Sequence, residues 1–317
     1  MSPTDSALLT RGPLPEDHRG LSVVTLGVAA GPAIRGRENG IATAIVVDDV
    51  HYLVDFGLGC TRAAHEANLR GRSLRAAFIT HLHSDHVAEL PAYLLWNWGT
   101  QVDGFTRPVD LVGPGTDPAL DGLALAGTAG LIDGVLDAYS YDIHIRVGDE
   151  GRPVLRDLIH VREMMTPSPG SAEIFPVYED DRVRVTATLV EHPPVFPAVA
   201  FRFDTEHGSV TLSGDTTECE SLAVLARDTD VLVHEAVNLA FYRGRGFPDA
   251  FVRHQEISHA TPEGAGRIAT QAGARALILS HLAGPAEPSY WAEAASATYS
   301  GPVETAWSGA VHRVTRS

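Results

Sequence analysis

Three histidines and one aspartate stand within the run Thr80-His81-Leu82-His83-Ser84-Asp85-His86. Imidazole and carboxylate without thiolate is a donor set for zinc, iron or manganese. His81 and His83 alternate, so on an extended backbone their rings leave on the same side. Asp85 and His86 follow where the chain turns and can face a second point, so one segment can feed two neighbouring metal positions. A bare His-rich surface turn is the alternative. It fits poorly with the buried apolar segment Ala76-Ala77-Phe78-Ile79 directly before the cluster and the apolar, helix-like Val87–Trp96 directly after it.

Further along, similar chemistry recurs at the ends of predicted strands. The alternating run Arg182–Val190 ends in Glu191-His192-Pro193-Pro194, and His192 taken alone reads as an ordinary loop histidine. Ser213-Gly214-Asp215-Thr216 closes a predicted hairpin (Ala198–Asp204 and Ser209–Ser213). Asp215 offers two oxygens, which can bridge two cations as imidazole cannot. His234-Glu235-Ala236 follows the strand Asp230–Val233, and Ser280-His281 follows Ala276–Leu279. His259 precedes a well-marked helix with Thr261 as N-cap, Pro262 at the first helical position and Gly273 at its end. An imidazole that is not a ligand, oriented by a carboxylate, can protonate a leaving oxygen. The plainer reading of His259 is a helix-start histidine with a structural bond.

The elements that must position these groups follow from the rest of the pattern. Leu21–Leu26 reads as a strand ending in the small-residue loop Gly27–Pro32, which lacks the spacing of a dinucleotide or phosphate motif. Its expected role is to let the backbone pass close beneath the site. Thr43–Asp48 and His51–Asp55 form a hairpin pattern, with Asp55 at the turn that follows. Val109–Val112 is a short strand and Leu120–Leu136 a helical stretch. The pattern is weak from 117 to 180, which is expected to be an inserted lid or arm. Residues 1–20 read as a loose N-terminal arm and 21–317 as one catalytic domain. Alternating strands and helices with candidate ligands at strand ends imply an α/β fold of mixed sheets covered by helices.

Composition narrows the partners. The chain has 317 residues, a formal net charge of −16, and arginine as its only fixed cationic side chain. That balance argues against a polyanion as main partner, because nucleic-acid binding needs clustered cations. Two cysteines, Cys60 and Cys219, allow at most one disulfide and no cysteine-based zinc site. The polar first twenty residues carry no apolar core of a signal peptide or membrane span, so a cytoplasmic location is expected.

The pattern His81-x-His83-x-Asp85-His86 resembles the signature of the metallo-β-lactamase superfamily. The resemblance implies a four-layer αβ/βα sandwich with the metal site at strand ends. It also implies two zinc ions, with iron or manganese as alternatives. One would be held by His81, His83, His192 and Asp215, the other by Asp85, His86, His281 and the same Asp215. Asp55 matches an aspartate that supports the metal site from behind. Within the superfamily the chain looks most like the ribonuclease Z and arylsulfatase-like branch, in which His259 and Glu235 match a catalytic histidine and its partner glutamate. Asp85, His259 and Glu235 are therefore the expected catalytic residues. The chain departs from ribonuclease Z in lacking a lysine-bearing or strongly basic arm. Trp96, Trp98, Phe196, Phe241 and Tyr242 stand close in sequence to the site loops and are expected to line an apolar pocket. The leading expectation is hydrolysis of a small-molecule ester: a sulfate or phosphate ester, a lactone or a thioester. A ribonuclease Z-like tRNA 3′ endonuclease is the second reading and a metal-bound redox protein the third. The expected partner is a small molecule, not nucleic acid or a membrane, with room for a homodimer.

Overall fold

Most strands of this chain are apolar on both faces, which demands cover on both sides. A computed structural model, describing residues 9–11, 14–15, 17–116 and 126–315, shows how the cover is arranged. The first half lays down β1 (Leu9–Arg11), β2 (Leu21–Gly27), β3 (Ala42–Val47), β4 (Val50–Val54), α1 (Cys60–Glu66) and β5 (Leu74–Phe78). It continues with α2 (Ser84–Val87), α3 (Leu90–Trp96), β6 (Val109–Pro114), α4 (Thr128–Ala138), α5 (Ser140–Asp149) and β7 (Ile159–Met164). The second half opens with β8 (Phe175–Glu179), β9 (Val183–Leu189), β10 (Val199–Thr205), β11 (Gly208–Leu212), α6 (Glu220–Leu225) and β12 (Val231–Val237). Next come α7 (Leu239–Gly244), α8 (Asp249–Ser258), α9 (Pro262–Ala272), β13 (Leu277–Ala283), α10 (Pro288–Ser296), β14 (Val303–Thr305) and β15 (Ala310–Val314).

Two mixed sheets result, an eight-stranded one in the order β1-β15-β2-β3-β4-β5-β6-β7 and a seven-stranded one in the order β14-β13-β12-β11-β10-β9-β8. Their inner faces meet in one core, in which Val23, Ile45, Tyr52 and Phe78 pack on Phe201, Phe203, Val210 and Ile278. The outer face of the first sheet is covered by α1, α3 and α4, and that of the second by α6, α9 and α10. This is the expected four-layer αβ/βα sandwich. Among the described residues no helix is long and apolar enough to cross a membrane.

Two expectations about organisation need correction. The segment 117–180, where described, is not only an inserted lid or arm. Its first residues, 117–125, lie outside the described residues. The remainder supplies α4 and α5, the edge strand β7 beside β6, and β8 beside β9. Its periodicity is weak because an edge strand such as β7 is covered only in part, with the burial pattern buried–exposed–half–exposed–exposed–buried. The arm 1–20 is not loose throughout either. Leu9–Arg11 pairs antiparallel with His312–Val314 at the rim of the first sheet, a pairing with the far end of the chain that local pattern cannot reveal. Cys60 and Cys219 are both free and buried, so the disulfide does not form.

Candidate metal centre and cleft

β5 delivers the cluster. It ends at Phe78, the chain bends at Thr80, and α2 begins at Ser84. Asp55 pins this turn: one oxygen accepts the Thr80 backbone N–H at 2.9 Å, and the other accepts the Thr80 hydroxyl at 2.9 Å and lies 2.8 Å from Nδ1 of His86. Asp55 itself follows β4 with φ 63°, a left-handed conformation that aspartate tolerates better than most residues. The Thr80 hydroxyl thus spends its one O–H on Asp55, and it accepts from Nδ1 of His81 at 3.1 Å. His192 donates through Nδ1 to the Ser258 carbonyl at 2.9 Å. With Nδ1 of His81, His86 and His192 committed, the bare lone pair of each ring is on Nε2, the atom aimed at the common centre.

Two local devices aim the remaining groups. The turn into Asp215 runs through Gly214 at φ +60°, where a Cβ would stand 2.6 Å from the Val199 carbonyl oxygen. On β13, Glu235 and Ala236 of β12 pair with Ser280 and Leu282, so His281 is the extra residue of a bulge and has φ 42°. A bulge re-aims its side chain, here into the site.

The donors converge. Asp215 lies between them, with Oδ1 3.4 Å from Nε2 of His86 and Oδ2 3.3, 3.9 and 3.9 Å from Nε2 of His281, His81 and His192. Asp85 Oδ2 is 3.5 Å from Nε2 of His281 and 3.8 Å from Nε2 of His86. Nδ1 of His83 is 3.3 Å from Nε2 of His192. His81, His83 and His192 form one group of ligand atoms, Asp85, His86 and His281 another, and Asp215 joins His81 and His86. Nε2 of His81, His86 and His281 and Oδ1 of Asp215 are buried yet have no protein partner. Orphaned lone pairs at this density are costly unless a cation receives them, so the residues present fit a divalent metal. Burial holds His192 down at about 4 and, with the neighbouring His86, pushes His81 well down, which keeps these imidazoles in the neutral, ligating form. Burial opposes ionisation of Asp215, but the surrounding His281 and His86 charges outweigh it and hold the carboxyl well below its usual range.

His259 stands beside this group and makes a different contact. Its Nδ1 is 2.9 Å from Oε1 and 3.1 Å from Oε2 of Glu235, which is fully buried at the end of β12. Its ring stacks at 18° on His281, with centroids 5.9 Å apart, and meets His192 edge-on at 5.0 Å. Burial lowers the His259 pKa, but the Glu235 charge and hydrogen bond outweigh it and raise it to about 9. Its remaining nitrogen, Nε2, is a donor beside the cleft.

That cleft has a volume of about 710 Å³ and is lined by Ala30, Gly31, Arg35, His83, Asp85 and Asp215 together with Phe241, Tyr242, Phe247, Phe251, His254, His259 and His281. Gly31 belongs to the small-residue loop after β2, and its backbone N–H donates to Asp85 Oδ2 at 2.9 Å, so the loop does pass close against the site. Of the five aromatics expected here, only Phe241 and Tyr242 line the cleft. Trp96 is 73% exposed, Trp98 is buried in the outer core with Nε1 donating to the Pro153 carbonyl, and Phe196 packs against the inter-sheet core. Nearness in sequence to the cluster did not carry over to space: Trp96 faces solvent at the end of α3, while Trp98 and Phe196 pack into the two cores. Sequence reasoning missed Phe247, Phe251, His254 and Arg35. A signal existed in the spacing of Phe251, His254 and Ser258 along one helical face, but the glycines and proline before α8 hid it.

Comparison with known proteins is consistent with this geometry. Residues 21–98 match the family of the anti-Pycsar protein Apyc1. The ribonuclease Z of Mycobacterium sp. (strain KMS) is 30% identical over 272 residues, covering 84% of this chain and 85% of that one. Among solved structures, the metallo-β-lactamase fold protein YhfI from Bacillus subtilis aligns with a TM-score of 0.65 at 19% identity over 93% of this chain and 99% of its own. The short form of human tRNase Z aligns with a TM-score of 0.64 at 20% identity over 93% and 100%.

Proposed function

The chain belongs to the ribonuclease Z branch of the metallo-β-lactamase superfamily, a metal-dependent hydrolase, and on that premise we propose that it cleaves an ester bond of a small molecule, a phosphate ester foremost. Sulfate ester, lactone and thioester remain in the same class of bond. Two zinc ions are the proposed cofactor. His81, His83, His192 and Asp215 would hold one, and Asp85, His86, His281 and Asp215 the other. When bound, such a pair lowers the pKa of a shared water and polarises the bond under attack. The chain's own residues do the rest. Asp85, fixed by the Gly31 N–H, orients the attacking water and takes up its proton. His259, fixed through Nδ1 by Glu235, gives the proton on Nε2 to the oxygen that leaves as the ester bond breaks.

The Glu235–His259 pair beside the convergent donors is the observation that carries this reading. The size of the substrate is argued from charge. The helices α4 and α5, between Thr128 and Asp149, hold four aspartates against one arginine, in a chain of net charge −16. Such a surface repels a nucleic-acid backbone. A second reading, a tRNA 3′ endonuclease, is favoured by the relatives named ribonuclease Z, which match over most of both chains. One panel decides between them: bis(p-nitrophenyl) phosphate, an aryl sulfate, a lactone, a thioester and a precursor tRNA, each with the zinc-loaded protein at physiological salt. Turnover of the phosphodiester without 3′ trimming is the expected result. Efficient trimming of the precursor would promote the second reading.

A further inference from the structure

Between β12 and α9 the chain leaves the sandwich to form α7 and α8, joined through Gly244, Gly246 and Pro248. This hairpin carries a chain of aromatic rings. The centroids of Phe241 and Tyr242 lie 5.3 Å apart, Tyr242 and Phe247 5.4 Å, Phe247 and Phe251 5.4 Å, and Tyr242 and Phe251 5.6 Å. All four line the cleft that leads to Asp85, Asp215 and His259. Their roles divide by burial. Tyr242 is buried against Ala30, Val237 and Ala283 and anchors the hairpin, and its hydroxyl accepts a hydrogen bond from Arg35 at 3.0 Å. Phe247 and Phe251 are 37% and 40% exposed. Rings that served only the hairpin's own core would be covered. Two large apolar rings left open at the rim of a reactive cleft offer their faces to a ligand.

The helix also relates this rim to the chemistry. Phe251, His254 and Ser258 recur at helical spacing, so one face of α8 runs from the rim down to His259. At 1.5 Å per residue, Phe251 stands about 12 Å from His259 along the axis. A single small molecule spans that distance.

We infer that Phe247 and Phe251, backed by Phe241 and Tyr242, form a stacking subsite for a planar aromatic ring of the substrate. The ring binds at the rim while the ester lies at the floor beside His259. This rests on the hydrolase reading above and names the part of the substrate that reading leaves open. The subsite sits away from the metal-binding donors, so its occupancy can be read by binding alone.

The test uses inert anion pairs that differ only in a terminal ring on a spacer long enough to reach the rim: 4-phenylbutylphosphonate against butylphosphonate, and 5-phenylpentanoate against pentanoate. Binding to the zinc-loaded protein is measured by calorimetry. In at least one pair the aromatic member should bind about tenfold or more tighter, the scale of one ring stacked on an aromatic side chain. In Phe247→Ala/Phe251→Ala the ratio should fall towards one while the affinity of the alkyl member stays unchanged. Phe251→Trp should retain the preference. Melting curves of each variant check that the hairpin's packing survives. Equal affinities of aryl and alkyl members in the parent protein, or a ratio untouched by the double variant, overturns the subsite. Preference for phenylpentanoate over pentanoate without phosphonate binding keeps the subsite and rejects the phosphoester reading, so the two fail separately.

Discussion

A Cβ placed on Gly31 would stand 2.3 Å from the Cβ of Asp85. The contact is with the root of the side chain, which cannot swing away as a long side chain's tip could. The same glycine donates its N–H to the Asp85 carboxylate. Gly31→Ala should therefore displace Asp85 without unfolding the sandwich, and weaken metal binding by about 10- to 100-fold, the usual scale for loss of a ligand's outer support. Gly134→Ala, where a Cβ meets nothing within 4 Å, is the matched control. Competitive zinc titration of both variants is the measurement, and equal affinities would remove Gly31 from the site.

Much of this site was legible because ligand spacing and strand periodicity are local signals. His81, His83, Asp85 and His86 share one turn, and β5, β9 and β11 announce themselves by apolar pattern. What was not legible depends on pairing across the chain. The bulge that turns His281 inward exists only against Glu235 and Ala236 on the neighbouring strand. The edge strand β7 has too little cover to show a period. The cleft's aromatic wall sits on a hairpin broken by glycine and proline, which masked the helical spacing of Phe251, whereas Trp96 and Trp98 sat beside the motif and pointed elsewhere.

His51 gives a pH prediction away from the metal centre. It is buried between Ser73 Oγ at 3.0 Å and the Tyr93 hydroxyl at 3.3 Å, and burial pushes its pKa down to about 3. The unfolded chain takes up a proton near pH 6.5 that the folded chain refuses. The neutral ring's contribution is thus fully present above about pH 6.5 and is lost as pH falls from there towards 3. Between pH 7.5 and 5.0 the parent should lose about 2 kcal/mol more unfolding free energy than His51→Gln, the linkage expected for about 1.5 pH units. Urea denaturation of both proteins at the two pH values tests this, and parallel losses would show that His51 is protonated in the fold.

Elemental analysis should find two transition-metal ions per chain when the protein is purified without chelator and with zinc supplied. One ion or none sinks the two-metal reading. Asp55→Ala should lower the affinity by about 10- to 100-fold, because His86 then loses the carboxylate that fixes its Nδ1. Removal of the metal by chelator should abolish hydrolysis, and re-addition of zinc should restore it.

His259 and Asp215 should separate in a leaving-group series. His259 is held by Glu235 through Nδ1, although its ring also lies within reach of His192 and Asp215. His259→Ala should keep the metal content of the parent and lower turnover by roughly 10²- to 10⁴-fold, the scale of general acid catalysis. The loss should shrink for substrates that release an activated nitrophenolate, which departs without needing a proton. Glu235→Gln should follow the same trend more weakly, since the ring stays but its charge partner is gone. Asp215→Ala removes the carboxylate that both groups of donors share, so metal content and activity should fall together for good and poor leaving groups alike. Metal loss in His259→Ala would make that residue a ligand or a structural support. An equal loss across the leaving-group series would assign it to binding or orientation and reject the acid role.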